Sequence, residues 1–207
     1  MTTKDKILNC ALQLYNEQGP NKITSRHIAT ELGMSPGNLH YHFKHTDDII
    51  IQLFNQLADS FDELISELEQ SKVDLNYLMN FTNKSFDLVY TYRFIFLSFV
   101  ELGRRIPAIQ QFYQEINERR LHEFKTIFKN FQKKKIFRQD IPSHVLDLLV
   151  NQIFIVGDFW PSNNDLTLKL EQVAAKKYYS KIFLNMFYPY FEPSIQVQYQ
   201  SQLGFSE

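Results

Sequence analysis

The sequence predicts an all-α protein, and three observations predict it. Apolar residues recur at helical spacing along most of the chain, as in Ile7, Ala11, Leu14 and Tyr15. No stretch shows sustained period-two alternation with turn residues at strand spacing. The seven prolines, at 20, 36, 107, 142, 161, 189 and 193, each stand where a periodic segment begins or ends, where a residue without an amide N–H is tolerated. About nine helices result, over 3–18, 24–32, 36–43, 46–70, 74–91, 93–102, 107–134, 141–160 and 167–188.

The first helix ends at Gly19, which can take the positive φ of a helix exit, and Pro20 prevents its continuation. Thr24 can cap the second helix, which turns Ile28, Ala29 and Leu32 inward. Ala29 is small where a crossing helix comes close, and Gly33 can supply a sharp turn. Ser35 then caps the third helix and Pro36 occupies its first position. Leu39 and Phe43, one turn apart, anchor that helix on the core. Gly37, Asn38, Tyr41 and Lys44 then project outward, with His40 and His42 on the flanks. Thr46, Asp47 and Asp48 make a favourable start for the long fourth helix. The seventh carries Ile109, Phe112, Tyr113 and Ile116, then after a slip in phase Phe124, Phe128 and Phe131.

Composition bounds the function. With 44% apolar and 22% charged residues the 207-residue chain is ordinarily globular, and a net charge of −1 gives no global attraction to polyanions. Cys10 stands alone, which excludes an intrachain disulfide and a thiolate metal cluster; it reads as a small buried hydrophobe. Neither a secretory signal core nor an apolar run approaching a membrane span is visible, so a soluble cytoplasmic protein without a membrane partner is expected. Residues 1–45 hold five lysines and arginines against three carboxylates, a net +2, and only Tyr15, Tyr41 and Phe43 of 31 aromatics. Two domains, 1–45 and 46–207, follow from that asymmetry.

The third helix has the chemistry of a DNA-reading element. Without a bulky residue at its start it can enter a major groove closely, and its amide N–H groups favour phosphate. Asn38 can pair with adenine edges and His40 with guanine or a phosphate, while Tyr41 offers its ring to a thymine methyl and its hydroxyl to a phosphate. The competing reading is a metal site. His40 and His42 lie about 200° apart on a helix and cannot share one ion, so no metal and no cofactor are expected. His42 has a second reading as a packed residue at the core edge.

The run "ITSRHIATELGMSPGNLHYHFKHTDDII" resembles the DNA-binding segment of TetR/AcrR-family transcriptional regulators, over roughly residues 3–55. That resemblance implies base and phosphate contacts at Ser25, Arg26, Pro36, Gly37, Asn38, His40, Tyr41 and His42; Thr24, Ser35, Lys44 and Thr46 complete the candidate face. Two positions depart from the family pattern. His40 stands where Tyr is usual, and Thr46 replaces a Lys that meets the DNA backbone, which should flatten the salt dependence by about one unit of slope.

The remaining helices suggest a larger effector-binding and dimerisation domain. Val145, Leu149, Ile153 and Gly157 form one ridge, and Ala174, Tyr178, Ile182 and Met186 form another beside Phe183. Helices apolar on more than one face must bury the surplus, and the resemblance implies a four-helix homodimer interface there. Aromatic crowding between 86 and 128 suggests either plain core or a cavity, and the family binds small apolar effectors in this region. Candidate pocket residues are Asn83, Phe86, Tyr90, Phe94, Glu101, Arg104, Phe112 and Tyr113, continued by Phe128, Asn151, Gln152, Phe154 and Asp158. The basic run Lys133–Lys135 with Arg138 reads as a solvated helix end.

A regulator that binds operator DNA as a dimer, a repressor released by a small apolar or aromatic effector, is the expected function. A helical protein-binding adaptor is the alternative. Catalytic motifs are absent, so an enzyme is not expected.

Overall fold

The computed structural model describes residues 1–70 and 74–203. Among them the chain forms α1 (Thr3–Gln18), α2 (Ser25–Glu31), α3 (Pro36–His42), α4 (Thr46–Gln70), α5 (Leu75–Thr91), α6 (Arg93–Leu97), α7 (Phe99–Arg105), α8 (Pro107–Lys133), α9 (Ser143–Leu166), α10 (Gln172–Asn185) and α11 (Pro193–Leu203). A 3₁₀ turn at Tyr188–Tyr190 precedes α11. The all-α class is as expected, with eleven helices in place of nine among the described residues.

The chain packs into two compact units, residues 1–61 with 91–114, and residues 62–90 with 115–207. This partition differs from the expected division at residue 45. Asn16 of α1 explains part of the difference, since its side chain donates to the Thr91 carbonyl at 2.8 Å and accepts from the Phe94 N–H at 3.0 Å. Tyr15 meets the Phe94 ring 5.1 Å away, so α6 belongs with the front helices.

Local chemistry sets the first unit's elements. Thr2 and Asp5 form a reciprocal capping box at the start of α1, at 3.2 and 2.7 Å. Gly19 leaves the helix at φ +84°, closing an N–H bond to the Tyr15 carbonyl. Ile7, Leu8, Ala11 and Tyr15 are buried, and Ile49, Ile50, Leu53 and Phe54 of α4 complete the core. Cys10 is half-buried, and desolvation pushes its thiol above the ordinary range. The expected helix over 93–102 is two helices, because Ser98 leaves the helical well at φ −112°, ψ 17°.

The second unit is held by aromatic rings. Phe137 is fully buried and lies 5.1 Å from Phe131, 5.5 Å from Phe128 and 5.8 Å from Phe191. Paired backbones fix that cluster: Arg138 N–H donates to the Tyr190 carbonyl and Glu192 N–H to that of Ile136, both at 2.9 Å. Arg120, buried on α8, has its charge met by Asp62 and Glu123.

Two expectations about the end of the chain are corrected. Pro161 lies inside α9 instead of ending it. Its ring and the neighbouring Trp160 are buried, and the Tyr179 hydroxyl donates to Asn163 Oδ1 at 2.7 Å two residues on, which ties this part of α9 to α10. The helix expected over 167–188 is shorter, and α11 follows it. In α11, Ile195, Val197 and Tyr199 alternate with glutamines, a period of two that conceals a helix whose buried contact is Tyr199.

The buried Tyr199 hydroxyl has no hydrogen-bond partner among the described residues, and burial pushes its pKa up from 10 to about 12. A raised folded pKa contributes stability that is intact below pH 10 and is lost as pH rises toward 12. Tyr199→Phe should therefore unfold in urea within about 1 kcal/mol of the parent at pH 7, and should lose less stability than the parent at pH 11. A loss of several kcal/mol at neutral pH would mean that the hydroxyl is bonded.

Candidate nucleic-acid interface

The geometry of α3 decides which of its side chains can meet another molecule. Gly33 turns the chain at φ +63°, and Met34 N–H bonds back to the Ala29 carbonyl at 2.9 Å. Ser35 caps α3 by accepting from the Asn38 N–H at 3.2 Å, and Pro36 takes the first position. Leu39 is 0% exposed and Phe43 5%, whereas Tyr41, between them in sequence, is 85% exposed. Pro36, Gly37, Asn38, His40 and Lys44 are exposed as well. His42 is half-buried with its ring edge-on to Tyr41 at 5.3 Å, in keeping with a place at the core edge. Phe43 carries the Lys4 ammonium 5.4 Å above its ring.

The second helix presents its N-terminus beside this face. Thr24 is the N-cap and Arg26 is exposed, while Ser25 is half-buried. His27 fills the place of the acid in a capping box, its Nδ1 accepting from the Thr24 N–H at 3.2 Å, which gives that imidazole a structural task. At the start of α4, Asp48 closes the turn by accepting from the His45 N–H at 2.9 Å, so His45 precedes the helix and Thr46 is its first residue.

These segments surround a polar recess of about 470 Å³. It brings together Thr24, Ser25, His40, Lys44 and Thr46 of the expected face, while Pro36, Gly37, Asn38 and Tyr41 stand outside it. Asn21, His45, Asp47 and Arg105 also line it and were not foreseen. Arg105 of α7 reaches Asp47 at 3.3 Å and Glu101 at 3.5 Å and donates to the Asn21 side chain, which in turn donates to Glu101 at 2.9 Å. That network ties the loop before α2 and the start of α4 to one guanidinium. Its partners are distant in sequence, so no local pattern announces it.

The residues expected to line an effector pocket do not assemble as one. Asn83 and Phe86 line a recess of about 350 Å³ in the second unit, with Met79, Asp87, Lys176, Lys177, Ser180, Lys181 and Leu184. Phe94 is buried against Tyr15, Phe112 lies edge-on to Phe54 at 5.8 Å, and Tyr113 edge-on to Phe99 at 4.6 Å, all in the first unit. Glu101 belongs to the Arg105 network, and Arg104 is exposed on α7. Phe128 is core, and Asn151 and Gln152 face outward from α9. Tyr90, Phe154 and Asp158 are half-buried and lie outside the recess.

The expected interface residues divide similarly. Ala174, Tyr178 and Ile182 are exposed on α10, while Val145 and Met186 are half-buried. Leu149, Ile153 and Phe183 are buried within the protomer and are unavailable to a partner. Gly157 faces the Phe183 ring, which a Cβ would meet at 3.8 Å. The outward apolar residues of α9 are instead Leu148, Ile155 and Phe159, with Leu166 at the helix end.

Among the described residues no helix is long and apolar enough to cross a membrane. Comparison with known proteins places this geometry. A family model described as "Bacterial regulatory proteins, tetR family" matches residues 7–53, and one described as "Bacterial transcriptional repressor" (TetR) matches residues 56–199. The chain is similar to the HTH-type transcriptional regulator QacR of Staphylococcus aureus, 24% identical over 189 residues that cover 89% of this chain and 98% of that protein. It is 28% identical over 123 residues to the S. aureus HTH-type transcriptional regulator SAB2452, a match to 55% of this chain that spans 62% of that relative's length. The crystal structure of a TetR-family transcriptional regulator from Marinobacter aquaeolei superposes with a TM-score of 0.89 at 27% identity, covering 99% of this chain and 98% of that one. Family models matching both the helix-turn-helix segment and most of the remaining chain show that this chain belongs to the TetR family of bacterial transcriptional regulators.

Proposed function

We propose that this chain represses transcription as a homodimer that holds operator DNA through α3 and releases it when a small ligand occupies the second unit. The observation that carries the DNA-reading part is the outward projection of Tyr41 from a helix pinned by Leu39 and Phe43. Asn38, His40 and Tyr41 share that outer side with a helix N-terminus, the arrangement suited to base edges and phosphates in a major groove. Ser25, Arg26 and Lys44 are placed to take phosphate oxygens.

Dimerisation is supported by uncovered apolar surface on α9 and α10. Leu148 is 59% and Ile155 62% exposed, and Phe159, Tyr178 and Ile182 add to the same pair of helices. A second copy that covered them would give two reading heads, and one head alone reads too few bases to be selective. The description of the matching family model supports repression. A release mechanism requires that the ligand bind one arrangement of the two heads better than the other.

Three measurements test these assignments. In a mobility-shift assay at stated salt with duplex fragments from beside the gene, Tyr41→Ala should lose about 1–3 kcal/mol of binding while remaining a dimer; undiminished affinity would remove α3 as the reading helix. Thr46→Lys should restore a backbone contact and steepen the plot of log affinity against log salt by about one unit, and an unaltered slope would place the start of α4 away from phosphate. Ile155→Glu should sediment as a monomer and bind operator far more weakly. A dimer that persists in that variant would move the interface elsewhere.

A further inference from the structure

One guanidinium joins the two segments that flank α3 in sequence. Arg105 closes α7, and Leu102 and Ile106 on either side of it are buried, so the base of its side chain is fixed on the core. Glu101, one turn back, pairs with it at 3.5 Å and orients the guanidinium at the polar recess. There it meets Asp47 in the first turn of α4 at 3.3 Å, and it donates to the Asn21 side-chain oxygen in the loop before α2. Asp47 can take this role because Asp48 is the residue that closes the start of α4, on the His45 N–H. Asn21 completes a ring of contacts, since its amide nitrogen donates to Glu101 at 2.9 Å while its oxygen accepts from Arg105. The ring sits beside the candidate phosphate contacts: Asn21 precedes the Thr24 cap by three residues, Asp47 follows Thr46 directly, and both threonines line the same recess. Ile23 and Ile49 are buried and tie these two segments to the core, whereas the ring ties them to each other.

We propose that Arg105 is a positioning residue for DNA binding, which holds the starts of α2 and α4 at the separation at which both reach phosphate while α3 lies in a major groove. The Arg105 side chain is 32% exposed, and ion pairs that water reaches contribute little to stability, so the value of the ring is geometric. A planar guanidinium can serve three partners at set angles, whereas an ammonium is a compact point of charge on a flexible stem. With donors turned to Glu101, Asp47 and Asn21, Arg105 acts on DNA through the segments it joins and not by touching a phosphate itself. This inference rests on the proposed reading of α3 and adds to it a residue outside the helix-turn-helix.

The test is a mobility shift of the full-length protein at fixed salt, with duplex fragments that the parent retains, at a temperature where circular dichroism shows each variant folded. Arg105→Lys keeps the charge but not the fork, and should bind about tenfold more weakly than the parent. Asn21→Ala removes no charge and should lose about as much. The two changes together should weaken binding no further than either alone, because both break the same ring. Parental affinity in Arg105→Lys would mean that the residue supplies only positive charge, and would overturn the proposal. Parental affinity in Asn21→Ala, or losses that add in the double variant, would do the same. A lowered thermal midpoint with unchanged affinity of the folded protein would reduce the ring to a structural brace and also overturn it. Tyr41→Ala, run beside these variants, separates the two readings. Weakened binding in Tyr41→Ala with parental binding in the ring variants would remove the role of Arg105 alone, whereas parental binding in Tyr41→Ala would remove α3 as the reading helix and this inference with it.

Discussion

The rotational setting of α3 is the constraint on which the rest depends. Leu39 and Phe43 are both buried, and each contributes about 1.5–3 kcal/mol by leaving water. Turning the helix by one residue, about 100°, would expose those two side chains and press polar neighbours into the core. Their burial thus fixes where Asn38, His40 and Tyr41 point. Gly33 and Ser35 act on the same outcome from the turn, one by its φ of +63° and the other by capping, so backbone and packing agree on one orientation.

The front of the chain was legible because its punctuation and its periodicity coincide. Gly19, Gly33, Ser35 and Pro36 all stand where the structure uses their particular backbone or capping properties. Legibility failed where several solutions satisfied one pattern. In α9, Leu148 and Leu149 are adjacent and equally apolar, yet one faces water and the other the core, and hydrophobic spacing cannot choose between them. Pro161 misled because a buried proline can continue a helix that its neighbours hold in place. The Arg105 network was invisible because Asn21, Asp47 and Glu101 lie on separate segments, and ion pairing leaves no trace in local sequence.

The aromatic surplus finds its main use in packing. Phe128, Phe131, Phe137, Phe187 and Phe191 pack on one another in tilted and edge-on contacts, a filled core that lies mostly beyond the crowded stretch 86–128. Free volume remains at the margin between α5 and α10, where apolar side chains give way to lysines. That margin was not apparent until helices distant in sequence were brought side by side.

Hydrogen–deuterium exchange of the protein with and without a retained duplex fragment tests the orientation of α3 most directly. Slower exchange over residues 24–26 and 36–44 on adding DNA, with little change elsewhere in the first unit, is the predicted result. Protection confined to the basic turn at 133–138, with 36–44 exchanging as in the free protein, would contradict it.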